Sequence, residues 1–297
     1  MESAGLDALA VFYPARIAYL TGFHHVPTDR PIVLLLAAGR CSLVVPAVEK
    51  EHAESVAGVD QVEVYFEYPG ERHPMHRVAE ALRSLAGRAG HVGADHDGVV
   101  PHWGYRGPRL SDLLKARPAD GEMLIESLRR VKSPAELECI QASCDWAVRA
   151  HRRMQAAIRP GQTEMECYQP ASVESLREMI REMPGWRPRG FARNGLTASF
   201  VAGRSTAMPH GFVRGHGIQS GDVLVSGAGV DIDGYLSELE RTMIVGEPTA
   251  AQEQAFAAML ALQTRAIEVI APGLPVAEDD RVQSWKARQD AAHVNPP

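Results

Sequence analysis

The spacing of apolar and polar positions changes once along this chain. Short apolar or alternating runs at residues 6–12, 31–38, 41–46, 61–67 and 91–95 predict strands, with turn signals between them. Residues 49–57, 74–86 and 107–116 predict the helices that separate some of these strands. The junction Ala37-Ala38-Gly39-Arg40-Cys41 predicts a two-residue hairpin. Strands interleaved with helices make an α/β domain with a mixed sheet and helices on both faces.

Beyond residue 132 the period becomes helical. Ser133, Pro134 and Glu136 occupy the N-cap, N1 and N3 positions of a capping box. Leu137, Ile140, Cys144, Val148, Met154 and Ile158 then keep helical spacing up to Arg159-Pro160-Gly161. Thr163 and Glu166 open a second helix, which Pro170 is expected to kink or split. Thr249 and Gln252 open a third, with Phe256, Met259, Leu260, Gln263, Ile267 and Ile270 on one face, ending at Pro272-Gly273. The switch in pattern near residues 118–132 marks a boundary: a first domain over 1–125 and a second over 126–283.

Between the second and third helices, residues 226–242 alternate around Asp233-Gly234, a hairpin dipeptide. Alternation puts Glu238, Glu240 and Thr242 on one face of the strand and Leu239 and Arg241 on the other. Two carboxylates on one face can hold a cation or share a proton. A solvated edge strand explains the same residues. The glycines of Ser226-Gly227-Ala228-Gly229 precede no helix, so they form no dinucleotide loop.

Composition narrows the classes. A chain of 297 residues with 45% hydrophobic positions can fill two cores. The formal charge of −6, without a long basic run, argues against a nucleic-acid surface. The longest apolar run, 32–38, is too short to span a bilayer, and the N-terminus has no signal-peptide pattern. Four cysteines without a C-x-x-C pair predict buried reduced thiols, Cys139 and Cys144 in a helix core, and a cytoplasmic location. His24 and His25 are adjacent, so in an extended segment they point in different directions; His216 has no matched role and is expected to face solvent.

Two segments carry a family resemblance. Arg129 to Glu136 reads R-x-x-K-S-x-x-E, and the frame from Gly221-Asp222 to Arg241-Thr242 aligns without a gap to a metal-binding hairpin. Together they resemble the creatinase/aminopeptidase P family (peptidase M24, pita-bread fold), including its Xaa-Pro peptidases. The resemblance implies an α/β creatinase-type N-terminal domain followed by an α+β pita-bread domain, and a hydrolase acting on C–N bonds. Family metal ligands fall on Gly227 and Glu238, so no metal is expected; a divalent cation such as Mn or Zn enters only if the family site survives. His210, in Pro209-His210-Gly211, falls on an active-site histidine that moves a proton. Its plain alternative is a loop histidine. Leu239-Glu240-Arg241-Thr242 matches the creatinase run whose Glu holds a guanidinium, and Glu238 would add a substrate-binding carboxylate. Arg30, followed by Pro31, matches an arginine that binds substrate carboxylate across a homodimer; the alternative is an Asp29–Arg30 turn pair.

After Arg281 the sequence leaves the family pattern. The pita-bread domain is therefore expected to be C-terminally truncated, with an unpaired sheet edge, an uncovered apolar face, and a disordered tail over 284–297. The expected partner is a small peptide or a guanidino or amide small molecule, with neither nucleic acid nor membrane. A non-catalytic binding module or decayed paralogue is the alternative to a hydrolase.

Overall fold

The structure is a computed structural model. It describes residues 1–275 except 56–57, 68–69, 71, 88–89, 100–103, 190–194 and 216. The expected tail at 284–297 and the solvent-facing His216 lie outside the described residues. The chain forms two compact units: Met1–Ala142 with Arg187–Gly195 and Asp231–Leu236, and Ser143–Trp186 with Leu196–Val230 and Ser237–Pro297.

The first unit alternates strands and helices: β1 Ala8–Val11, α1 Pro14–Thr21, β2 Val33–Ala37, β3 Arg40–Pro46, α2 Lys50–Glu54, β4 Gln61–Tyr65, α3 Met75–Ala86, β5 Val92–Ala94, α4 Leu110–Leu114, β6 Ala119–Asp120 and α5 Glu122–Arg130. Its six strands form a mixed sheet in the order β4-β3-β2-β1-β5-β6. β1 is buried along its whole length because it feeds two cores. Ala8 and Ala10 face Val33, Leu35 and the α3 residues Met75, Val78 and Leu82. Leu9 and Val11 face Leu34, Leu43, Ile17 of α1 and Ile125 of α5. Helices on both faces thus match the sequence expectation, and Ala38-Gly39 makes the expected two-residue hairpin, with Ala37 opposite Arg40.

Three elements were not legible as apolar runs. α1 carries a proline at N1 and ends at Gly22 with φ 75°, but it spans only two turns. α5 and β6 are likewise short and mostly polar. α4 is shorter than the expected 107–116, because Lys115 takes the left-handed conformation with φ 59° and ends it. The electrostatic centre of this unit is Arg16, buried on α1. It binds Asp95 at 3.2 Å, Glu122 at 2.6 Å and Glu126 at 2.8 Å. Asp95 also accepts the backbone N–H groups of Phe12 and Tyr13.

Two long helices, α6 Pro134–Ala157 and α7 Glu164–Glu182, open on the expected capping boxes. In the second unit residues 143–157 of α6 and all of α7 accompany β7 Leu196–Ala202, residues 223–230 of β8 Val223–Ile232, and β10 Leu239–Ile244, in the order β10-β8-β7. The last two residues of β8, Asp231 and Ile232, belong to the first unit and pair there with the short β9 Tyr235–Leu236. α7 runs unbroken through Pro170, contrary to the expected break. Pro170 is exposed, as is Glu166, the residue whose carbonyl it cannot bond, so the lost bond falls on the solvent side of the helix.

The packed stripe of α6 is Ser143, Trp146, Ala147, Ala150, His151 and Met154. It is offset from the expected stripe, so Cys144 and Leu137 are exposed. Among the cysteines only Cys167 is buried; Cys41 and Cys139 are half-buried. The thiols are free, as expected, but they are not core residues as a group. Along β8 the residues 224, 226, 228 and 230 are buried and 223, 225, 227 and 229 are not, so one sheet face is packed and the other open. α8 Ala250–Val269 buries none of its residues, and its apolar positions Phe256, Met259, Leu260 and Ile267 are exposed. No helix among the described residues is long and apolar enough to cross a membrane.

Candidate functional site

The hairpin turn has the conformation its sequence demands: Asp233 with φ 50° and Gly234 with φ 90°. In the returning arm, Leu239 stands opposite Ala228, Glu240 opposite Gly227, Arg241 opposite Ser226 and Thr242 opposite Val225. The Ser237 N–H donates to the Val230 carbonyl at 3.0 Å, so the same register puts Glu238 opposite Gly229. Each glutamate therefore faces a glycine on the open side of the sheet, and both are exposed. On the far side of β8, Ser199 pairs with Gly227 and Thr197 with Gly229.

The two glycines have different reasons to be there. A Cβ at Gly229 would sit 2.9 Å from the Ser237 carbonyl, so a close backbone approach requires glycine. A Cβ at Gly227 would meet nothing nearer than the Leu239 carbonyl at 3.9 Å. Position 227 could thus hold a side chain; its emptiness is not imposed by packing.

The packed side of the same strands is held by polar residues of α6. The Ser226 hydroxyl donates to the Arg241 carbonyl at 3.0 Å and lies 2.8 Å from His151 Nε2. Its one proton being committed, Ser226 Oγ accepts, which assigns the Nε2–H tautomer to His151. Burial, reinforced by Arg241, lowers the His151 pKa. The Ser143 hydroxyl donates to the Val230 carbonyl at 2.5 Å, and Ser237 Oγ donates to the Ser143 carbonyl at 3.0 Å. Sequence reading placed neither Ser143 nor His151 in the core; their helical spacing with Trp146, Ala147 and Ala150 was the available signal.

His210 lies exposed on the loop after β7. The loop begins with a 3-10 turn, Gly203–Ala207, and folds back so closely that a Cβ on Gly211 would sit 2.2 Å from the Ser205 carbonyl. Its two ends meet at Glu164, the first residue of α7, which is completely buried. One carboxylate oxygen accepts the Ala202 N–H at 2.9 Å; the other accepts those of Arg214 at 3.1 Å and Gly215 at 3.0 Å. Sequence reading missed Glu164, which the neighbouring Thr163–Glu166 box overshadowed. Among the described residues no hydrogen bond or ion pair joins His210 to Glu238 or Glu240.

Arg30 belongs to the first unit. Its Nε pairs with Glu67 at 2.7 Å, which corrects the expected turn pair with Asp29. The side chain remains partly exposed, and the Glu67 hydrogen bond raises its pKa. His24 Nδ1 lies 3.0 Å from the Arg189 carbonyl, whereas His25 stacks on Phe23, so the two rings do serve different partners.

The family's dinuclear metal centre finds a poor donor set here. Gly227 offers no side chain, and no three His, Cys, Asp or Glu residues converge among the described residues. The residues present do not fit that group.

The sequence profile of a creatinase/prolidase N-terminal domain matches residues 1–131, and that of metallopeptidase family M24 matches residues 138–284. A Xaa-Pro dipeptidase of Pyrococcus furiosus is 30% identical over 159 residues, 54% of this chain and 42% of that protein. An uncharacterized peptidase of Staphylococcus aureus is 22% identical over 277 residues, 93% of this chain and 72% of its own length. Among solved structures, a dipeptidase from Mycobacterium ulcerans superposes with a TM-score of 0.77 at 25% identity, covering 98% of this chain and 74% of that one. A Xaa-Pro dipeptidase from Bacillus anthracis gives 0.73 at 21% identity, covering 97% and 74%. With a creatinase-type domain followed by an M24 pita-bread domain, the chain belongs to metallopeptidase family M24.

Proposed function

We propose that this chain is a peptidase-type hydrolase that cleaves a C–N bond in a small peptide or a guanidino or amide substrate, without a dinuclear metal centre. The observation that carries this reading is the Glu240–Gly227 pair. On the open sheet face a carboxylate stands across from the position where the family pattern has a metal-binding Asp. It can hold a cationic amine or guanidinium there, with Glu238 two positions along the same face. His210 is the proton-transfer group, since imidazole is suited to give and take protons near neutral pH. Arg30 would exchange Glu67 for a substrate carboxylate, supplied from the second copy of a homodimer in the cytoplasm.

The missing donor at Gly227 also favours a second reading, a non-catalytic module that binds such molecules without turning them over. Purified full chain, chelated and assayed for metal content, separates the two when tested on Xaa-Pro dipeptides and creatine-like amidines. Metal-independent turnover that falls at least about tenfold in His210→Ala and Glu240→Gln supports the hydrolase. Stoichiometric Mn, Co or Zn with activity lost on chelation overturns the metal-free mechanism. Saturable binding without turnover moves the assignment to the binding module.

A further inference from the structure

We infer that Glu164 is the positioning residue for His210: one buried carboxylate closes the loop that presents the imidazole. The inference rests on the reading of His210 as the proton-transfer group, but its geometry stands independently.

Three features support it. Glu164 spends both oxygens on backbone N–H groups, one at the start of the loop and two at its end. An ionised carboxylate is suited to this because it only accepts, and each such charge-assisted bond is stronger than a neutral one. The carboxylate sits at the N1 position of α7, where the helix dipole favours negative charge. The loop exit is also clamped to the turn before α7: the Gly161 N–H donates to the Ile218 carbonyl and the Ile218 N–H to the Gln162 carbonyl, both at 2.8 Å. Between these pins the segment 203–213 is supported by local bonds, such as Met208 N–H to the Ser205 carbonyl and Thr206 Oγ1 to the Gly203 carbonyl. At its far end His210 is exposed and Phe212 is 82% exposed, so little packing fixes them. A loop whose tip packs on little keeps its shape through its ends. Removing the carboxylate would leave three N–H groups without their acceptor and free the stretch between β7 and the Ile218 clamp.

Glu164→Gln keeps one acceptor oxygen and replaces the other with a donor, so it breaks the closure with minimal change in volume. Amide hydrogen exchange on the full chain should show Ala202, Arg214 and Gly215 protected in the parent protein. In Glu164→Gln, exchange at Ala202 and over 203–215 should rise roughly tenfold or more while residues 196–201 and β8 keep their protection. With a substrate in hand, kcat should fall with KM little changed, and Glu164→Gln added to His210→Ala should cost nothing further. Unchanged loop exchange overturns the inference. So does a uniform rise across loop and sheet, or failure of both Glu164→Gln and Glu164→Asp to fold, because Glu164 would then be a determinant of the fold as a whole. If the parent protein turns over no substrate, the proposed function fails, yet the exchange experiment still decides the role of Glu164.

Discussion

Placing an aspartate at Gly227 tests the strand register on which the candidate site depends. Position 227 is opposite Glu240, and a Cβ there has open space, so Gly227→Asp introduces a carboxylate without a steric penalty. Directly opposed residues have Cβ atoms about 4.5–5.5 Å apart. Two carboxylates at roughly 6 Å in water repel by about 0.7 kcal/mol, and salt weakens this further. Gly227→Ala is the baseline, because replacing a strand glycine alone should stabilise by about 0.5–1 kcal/mol. Urea unfolding of Gly227→Ala and Gly227→Asp, each with and without Glu240→Gln, isolates the coupling. The expected coupling is about 0.5–1 kcal/mol at low ionic strength, shrinking on addition of salt. Equal destabilisation by Gly227→Asp with and without the Glu240 carboxylate would mean that the two side chains do not share a face. The proposed substrate anchor would then be misplaced.

Three further outcomes follow from named contacts. Arg16→Ala strands Asp95, so it should destabilise by about 3–5 kcal/mol in urea unfolding; a loss below about 1 kcal/mol would show that the network is not tightly coupled. Ser143→Ala should cost only about 1 kcal/mol, because the Val230 carbonyl still accepts the Ser237 N–H; a much larger loss would contradict that compensation. His25 is pushed down to about 4 by burial, which outweighs Glu49 while His52 and His24 add to the shift; its Nδ1 has no partner among the described residues. The unfolded chain therefore binds the extra proton first. The contribution is complete above about pH 6.5 and is lost as pH falls towards about 4, to roughly 3 kcal/mol at most. His25→Phe should flatten that part of the stability–pH curve, and an unchanged slope would assign it to other groups.

Much of the architecture could be read from local pattern. Five of the six strands in the first unit's sheet and the three helices opened by capping boxes were visible because each is a local event: a run of apolar residues, a Ser or Thr acceptor, a proline at N1. The hairpin's turn and the shared face of Glu238 and Glu240 also follow from period-two alternation alone. The helix α1 escaped notice because two turns provide too few positions to reveal a period. On α6 the conservative expectation of an all-apolar stripe failed, since Ser143 and His151 are buried by hydrogen bonds to strand residues 75 and more positions away in sequence.

The sequence by itself determined the family, the order of the strands and helices with a clear apolar period or capping box, and which side-chain chemistries are available at 210, 238 and 240. Those are properties of short segments. Tertiary structure alone decided that Glu240 faces Gly227, that Arg30 takes Glu67 instead of Asp29, and that Glu164 closes the His210 loop. Each of these joins residues 13 to 51 positions apart. Such pairings depend on strand register and on desolvation, and neither is written into any local stretch of the chain.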